Sequence, residues 1–466
     1  MCRKKTEGHY SGVKAGLWYS IGNILIKGIP FFTLPVFTRL LSTADFGVYN
    51  TYIAYEGILN VFTGLGIAGT VKTAFFDFKD SFERYISSAV KLILLVTAVF
   101  ALTGMLSIRF FDIRGWMNGY TMALLILQSM ATAVYGVVSI KYVITGEYIK
   151  NLVSALAAVL LNIGISLVLL LTGVFTSPAL ARITGTAAGS IALAIAFIFL
   201  QQKKYPLRLH FQENRYALKL GLPLIPHQLA LIIMTQCDKL MIQKMAGDSE
   251  AGIYSLAVNI VTILTVLLSS VDNAWAPWYY GALDRGDYRV IRKVNSDLLI
   301  FFMYLTCGFL MTGTDVIHIM AERAYWDSIH VFIPLSVSVF LNFMYLYDIN
   351  LEYFCKKTAY ISYASILCAG INIALNFVFI KKGGYIAAAY ATCTAKFILF
   401  LIHHIRAGRL GKEKVVRESG LAAALAVVLF CAMLASVLET AVFARYAVIA
   451  AMTAVMAVYF RGQRAG

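Results

Sequence analysis

Long apolar runs, each about the length of a membrane crossing, alternate along this chain with short polar turns. A hydrocarbon core about 30 Å thick takes roughly 20 apolar residues per helix. That ruler predicts fourteen spans, near 15–41, 46–70, 86–108, 117–140, 151–171, 179–200, 217–244, 251–275, 297–320, 329–348, 359–380, 385–405, 419–438 and 442–460. Two polar stretches stand out for length and basicity: QQKKYPLRLHFQENRYALK after the sixth span and RAGRLGKEKVVRE after the twelfth. They divide the spans six, six and two. The expected organisation is an N-lobe over 1–202, a linker over 203–216, a C-lobe over 217–405, a second linker over 406–418, and a further transmembrane hairpin with a tail over 419–466.

Two sets of six spans invite a search for a repeat. An ungapped shift of 205 residues lays Gly16-Leu17 on Gly221-Leu222, Asp45 on Glu250, Gly47 on Gly252 and Tyr49 on Tyr254, so that TADFGVYN overlies DSEAGIYS. The matches include turn residues and fall at the same place in span order. An even number of spans per lobe makes both lobes enter from one face, as a parallel repeat. The expected fold is an all-α polytopic membrane protein with two such six-helix lobes and two C-terminal helices.

Composition agrees: 60% of the 466 residues are hydrophobic and 14% charged, against about 25% charged in soluble domains. The net charge of +16 would suggest nucleic acid in a soluble protein. Here it follows from membrane sidedness. With the N-terminus inside, 27 of the 40 Lys and Arg fall on the inner side, 8 on the outer side and 5 within spans. By the positive-inside rule both termini are cytoplasmic. The basic start MCRKKTEGHYSGVK precedes an apolar run too long for a signal-peptide core, which is retained as the first span. Seven cysteines without CxxC spacing indicate neither a disulfide framework nor a metal site.

Few motifs suggest chemistry. Gly64-Leu65-Gly66-Ile67-Ala68-Gly69 matches GxGxxG, but it lies within a hydrophobic span and reads as close packing by small residues, as do Gly185 and Gly189. His403-His404 reads as interfacial. No hydrolase, kinase or metal signature appears, so no enzyme and no cofactor is expected. Charges inside spans carry more information, because each costs about 2.5–3.5 kcal/mol at a helix centre and needs a partner or a wet cavity. Lys27, Lys239 and Lys396 are the candidate cationic groups, with Arg39 near the outer mouth. Glu56, Asp238 and Asp272 are candidates for ion coupling or structural pairing, Glu56 with Lys27 in particular. Lys91 can snorkel. Pro30, Pro35, Pro223 and Pro226 break the ladders of the first and seventh spans, as helices beside cavities tolerate.

TLPVFTRLLSTADFGVYN, with TGLGIAGTVKTAFFDF after it, resembles the opening of bacterial polysaccharide (O-antigen, Wzx-type) flippases of the MOP, MATE-like, exporter superfamily. GLPLIPHQLALIIMTQCDKLMIQKMAGDSEAGIYSLAVNIV and DNAWAPWYY resemble the start of that family's second lobe. The resemblance follows the span pattern over about 10–405. The two extra spans are similar to the fourteen-helix lipid II and spore-wall branch, where added helices help form a lipid-tail groove. The resemblance implies an alternating-access flippase of undecaprenyl-diphosphate-linked oligosaccharide in the bacterial cytoplasmic membrane. Its partners would be that lipid-linked glycan, membrane lipids and an H+ or Na+ counter-ion, with no nucleic acid. A cation-coupled drug antiporter of the same superfamily and a membrane polysaccharide polymerase or ligase are the alternatives. The first would want acids to outnumber bases in the spans, and the second a large outer loop. A non-transporting scaffold would leave the duplication and the buried bases unexplained.

Overall fold

The computed structural model describes residues 28–110, 116–356, 358–410 and 413–465. A first helix, α1, covers 28–40, and α2 (Thr43–Gly64) and α3 (Ile67–Asp77) follow. Next come α4 (Phe82–Phe110), α5 (Gly119–Ile144), α6 (Tyr148–Thr172), α7 (Pro178–Lys204) and α8 (Phe211–Gly221). The series continues with α9 (Ile225–Met245), α10 (Asp248–Arg285), α11 (Tyr288–Met320) and α12 (Ile329–Phe354). It ends with α13 (Thr358–Gly408), α14 (Glu418–Val437) and α15 (Val442–Ala465). Among the described residues there is no strand.

Among the described residues, twelve helical stretches are long and apolar enough to cross a membrane. They account for the expected second to fourteenth spans, because two of those spans share the 49-residue stretch Tyr360–Gly408. An unbroken helix would hold Asn372 and Thr392 about 30 Å apart, yet their side chains hydrogen-bond at 3.1 Å. The chain therefore reverses at Gly384, whose φ of 58° and ψ of −149° suit only a residue without Cβ. The two arms, 358–383 and 385–408, form a helical hairpin. The first half of the expected first span, 15–27, lies outside the described residues.

Local chemistry explains where the helices start. Ser42 caps α2: its hydroxyl accepts from the Asp45 amide, while the Asp45 carboxylate receives the Ser42 amide and hydroxyl. This reciprocal pairing is a capping box, and it is what the small polar turn after Arg39 encodes. Asn118 and Thr121 cap α5 in the same way. Ser177 caps α7, with Pro178 in the first turn, where its missing N–H costs nothing. The GLGIAG stretch holds the break between α2 and α3, with Gly66 left-handed.

The chain forms two compact units, one of residues 1–41 and 48–237, the other of 42–47 and 238–466. In the first, α3, α4, α5, α7 and α8 enclose a core around Ile67, Val71, Tyr85, Ile86, Val134 and Val137. Gly185 and Gly189 let α7 approach the α6 backbone at Ser166 and Asn162. In the second unit the turn that begins α2 meets the turn that begins α10. A Cβ on Gly47 would lie 1.8 Å from the Asp248 carbonyl oxygen, and one on Gly252 would lie 1.9 Å from that of Thr43. Gly47 and Gly252, like Thr43 and Asp248, stand 205 residues apart, so each repeat position makes the other's contact. The last hairpin is fastened to α11 by Arg445–Asp315 (2.8 Å), Tyr304–Thr453 (2.8 Å) and Tyr459–Asp297 (2.8 Å).

Candidate functional site

Asp238 and Lys239 lie side by side on α9, with 7% and 6% of their surfaces exposed. A carboxylate so buried must receive hydrogen bonds, and Asp238 receives three. The Tyr254 hydroxyl of α10 donates to Oδ2 at 2.8 Å, the Thr392 hydroxyl of the second α13 arm donates to the same oxygen, and the Asn376 amide of the first arm donates to Oδ1. Asn376 also donates to Asn372 Oδ1 at 3.2 Å, and Asn372 donates to the Thr392 hydroxyl at 3.1 Å. Three donors on two oxygens suit the ionised carboxylate, which only accepts. Oδ1 of Asn376 is buried with no partner among the described residues.

Two ammonium groups accompany this network. Lys239 and half-buried Lys396, on the second arm of α13, both lie in the field of Asp238. Neither makes a hydrogen bond or ion pair among the described residues. The second unit thus gathers Asp238, Lys239 and Lys396. Asp272 is half-buried on α10, where its Oδ1 accepts from Asn350 at 3.2 Å and Asn350 accepts from Tyr280 at 2.6 Å. Asp272 lies well inside this 38-residue helix, which continues through Pro277.

In the first unit, Glu56 is 8% exposed on α2, hydrogen-bonded by Thr132, with Oε1 unpartnered among the described residues. Tyr52 donates to Gln128 at 2.9 Å one turn away. Lys27 lies outside the described residues, and so does its suggested pairing with Glu56. Arg39 is exposed at the end of α1. Arg182, which falls among the outer bases by position in the sequence, is instead 8% exposed. Its Nη1 donates to Asn162 (3.0 Å) and Ser166 (2.7 Å), and its guanidinium covers the rings of Phe37 (3.7 Å) and Tyr49 (4.7 Å). Cation–π and hydroxyl contacts replace the water it loses.

The expectation for His403-His404 is corrected. His403 is fully buried, its Nδ1 2.9 Å from Glu352 Oε1, and His404 Nδ1 is 3.1 Å from Asp348 Oδ2. An adjacent pair at the end of an apolar run reads as interfacial only while the facing acids on α12 are unknown. Among the described residues no group of three or more His, Cys, Asp or Glu could hold a metal ion.

Long apolar helical spans and buried charges held by neutral donors define a multi-pass helical membrane protein. The chain belongs to the polysaccharide biosynthesis protein family, whose profile matches residues 13–280. The resemblance read from the sequence is to this family. Among Haemophilus influenzae proteins, it is 25% identical to Lsg locus putative protein 1 over 187 residues, covering 38% of this chain and 46% of that one. It is 21% identical to an uncharacterized membrane protein over 373 residues, covering 78% of this chain and 88% of that one. The chain thus spans about half the length of the first relative. In fold it is similar to the lipid II flippase MurJ in an inward closed conformation (TM-score 0.69, 16% identity, 97% of this chain and 100% of that one). It is also similar to an inward-facing multidrug resistance MATE transporter of the MOP superfamily (TM-score 0.59, 14% identity, 86% and 99%).

Proposed function

We propose that the protein flips an undecaprenyl-diphosphate-linked oligosaccharide from the inner to the outer leaflet of the bacterial cytoplasmic membrane by alternating access, with both termini cytoplasmic. Membership of a polysaccharide biosynthesis family supports a glycan substrate. The observation that carries the reading is the pair of intramembrane lysines, Lys239 and Lys396, without hydrogen-bonded acids. A diphosphate head needs cationic contacts, and these two supply them in the second unit, while Lys27 is the candidate that the sequence offers in the first. An interior-negative potential favours outward movement of an anion by about 2.3 kcal/mol per charge per 100 mV. Asp238 serves as the counter-ion site: it is a buried carboxylate held by the Asn376 amide and the Thr392 hydroxyl, and it can take a proton or a monovalent cation.

The test is a strain lacking the gene. Undecaprenyl-linked glycan accumulates in its inner leaflet, and the wild-type chain clears it. The combined Lys27→Ala, Lys239→Ala and Lys396→Ala variant, present at normal level, leaves it accumulated. Full clearance by that variant would refute the cationic role. No accumulation in the strain at all would remove the glycan substrate and favour the alternative, a drug antiporter.

A further inference from the structure

The α13 hairpin carries a polar seam longer than the Asp238 network needs. Thr392, Lys396 and His403 are spaced four and then seven residues apart, which puts them on one helix face. Asn376, Asn372 and Cys368 are spaced four and four apart and share a face of the other arm, with Tyr360 about two turns beyond Cys368. The two arms meet at three levels: Asn372 with Thr392 at 3.1 Å, Cys368 beside Lys396, and the Tyr360 ring 5.9 Å from that of His403.

The end of the seam away from Asp238 is a buried acid–imidazole cluster. His403 and Glu352 are both fully buried and 2.9 Å apart through Nδ1 and Oε1. The other nitrogen of His403, Nε2, and the other oxygen of Glu352, Oε2, are buried with no partner among the described residues. One turn earlier on α12, Asp348 pairs with His404. A pair kept only for packing would have its second atoms satisfied, since buried polar atoms almost always are. A pair with one open position on each partner can bind or release a proton without rebuilding its surroundings. Its neighbours are the rings of Tyr345 and Tyr360, with Tyr353 on α12, Cys368 on the first arm, Arg406 over Tyr360, and Lys414 and Glu418 acting on His404.

We propose that His403 and Glu352 form a proton-binding site of the transport cycle, a second one beside Asp238 and on the same seam. Its ligand is the proton: the pair, which already shares one proton between the His403 ring and the Glu352 carboxylate, takes up a second to become imidazolium and carboxylic acid, and gaining that positive charge changes the field along the hairpin towards Lys396 and Asp238. This deepens the counter-ion reading of Asp238, but its test uses no glycan, so the two can fail separately.

The test counts protons on purified protein in detergent. A jump from about pH 8 to pH 5 is followed with an indicator dye, and infrared difference spectra are taken between the two states. The wild-type chain takes up about one proton more than His403→Gln/Glu352→Gln, whose two amides keep a hydrogen-bonded neutral pair. Its spectrum gains a protonated-carboxyl band that Glu352→Gln lacks. Equal uptake by wild type and a folded double variant overturns the proposal. Should the variants not fold, a wild-type spectrum with no new carboxyl band overturns it just as well.

Discussion

Asp238 is held by a tyrosine, a threonine and an asparagine from three different helical segments, so its charge depends on all of them staying in place. Asp238→Asn keeps the shape and removes the charge. The expected result is a variant that inserts normally yet leaves the glycan uncleared, read in the deletion strain. Removing one donor is a milder change. Tyr254→Phe or Thr392→Val strips a hydrogen bond from a buried acceptor, which costs about 1–3 kcal/mol and shows as a lower melting temperature in detergent. At this scale the sequence was legible wherever a charge interrupts an apolar run, hence Asp238, Lys239, Lys396 and Glu56. Tyr254, Asn372, Asn376 and Thr392 escaped notice because neutral polar residues are ordinary in such runs. The spacing of Asn372 and Asn376, four residues and one helical face, was the available signal. Arg182 and Arg445 were hidden differently: each stands within two turns of a polar loop, and only packing reveals that it points inward.

Among the elements, the α13 hairpin and the α14–α15 hairpin are held by opposite means. The first depends on backbone conformation at Gly384. Gly384→Ala must hold an L-residue at positive φ, at a cost of about 1–2 kcal/mol, and Gly384→Val is expected to do more harm and Gly384→Asn less. Melting curves of the three variants give the order. The second depends on polar fasteners in an apolar setting. Arg445 is 1% exposed, bonded to the Met311 carbonyl and paired with Asp315. Arg445→Ala leaves that acid uncompensated, at about 3–5 kcal/mol, and is expected to release α15 to proteolysis at its loop. Adding Asp315→Asn restores part of the loss, which a double-mutant cycle measures. The apolar ruler found these crossings because bilayer thickness sets their length. It missed the extension of the second span to Asp77 and of the seventh back to Phe211, because bilayer thickness says nothing about helix that continues beyond the membrane core.

For the molecule as a whole, the repeat read from an ungapped shift of 205 residues has a physical counterpart at Gly47 and Gly252. Close backbone approach leaves no room for a methyl group on either. Gly47→Ala and Gly252→Ala are each expected to cost at least about 3 kcal/mol, seen as loss of the monodisperse peak in size-exclusion chromatography. Because both act on one contact, the double variant is expected to lose little more than either single. A contact in which position i meets j while the copy of j meets the copy of i is self-complementary, the kind made by two identical subunits about a two-fold axis. Inside one polypeptide the same geometry ties the two turns together, so that neither glycine can gain a side chain without displacing the backbone of the other repeat's turn.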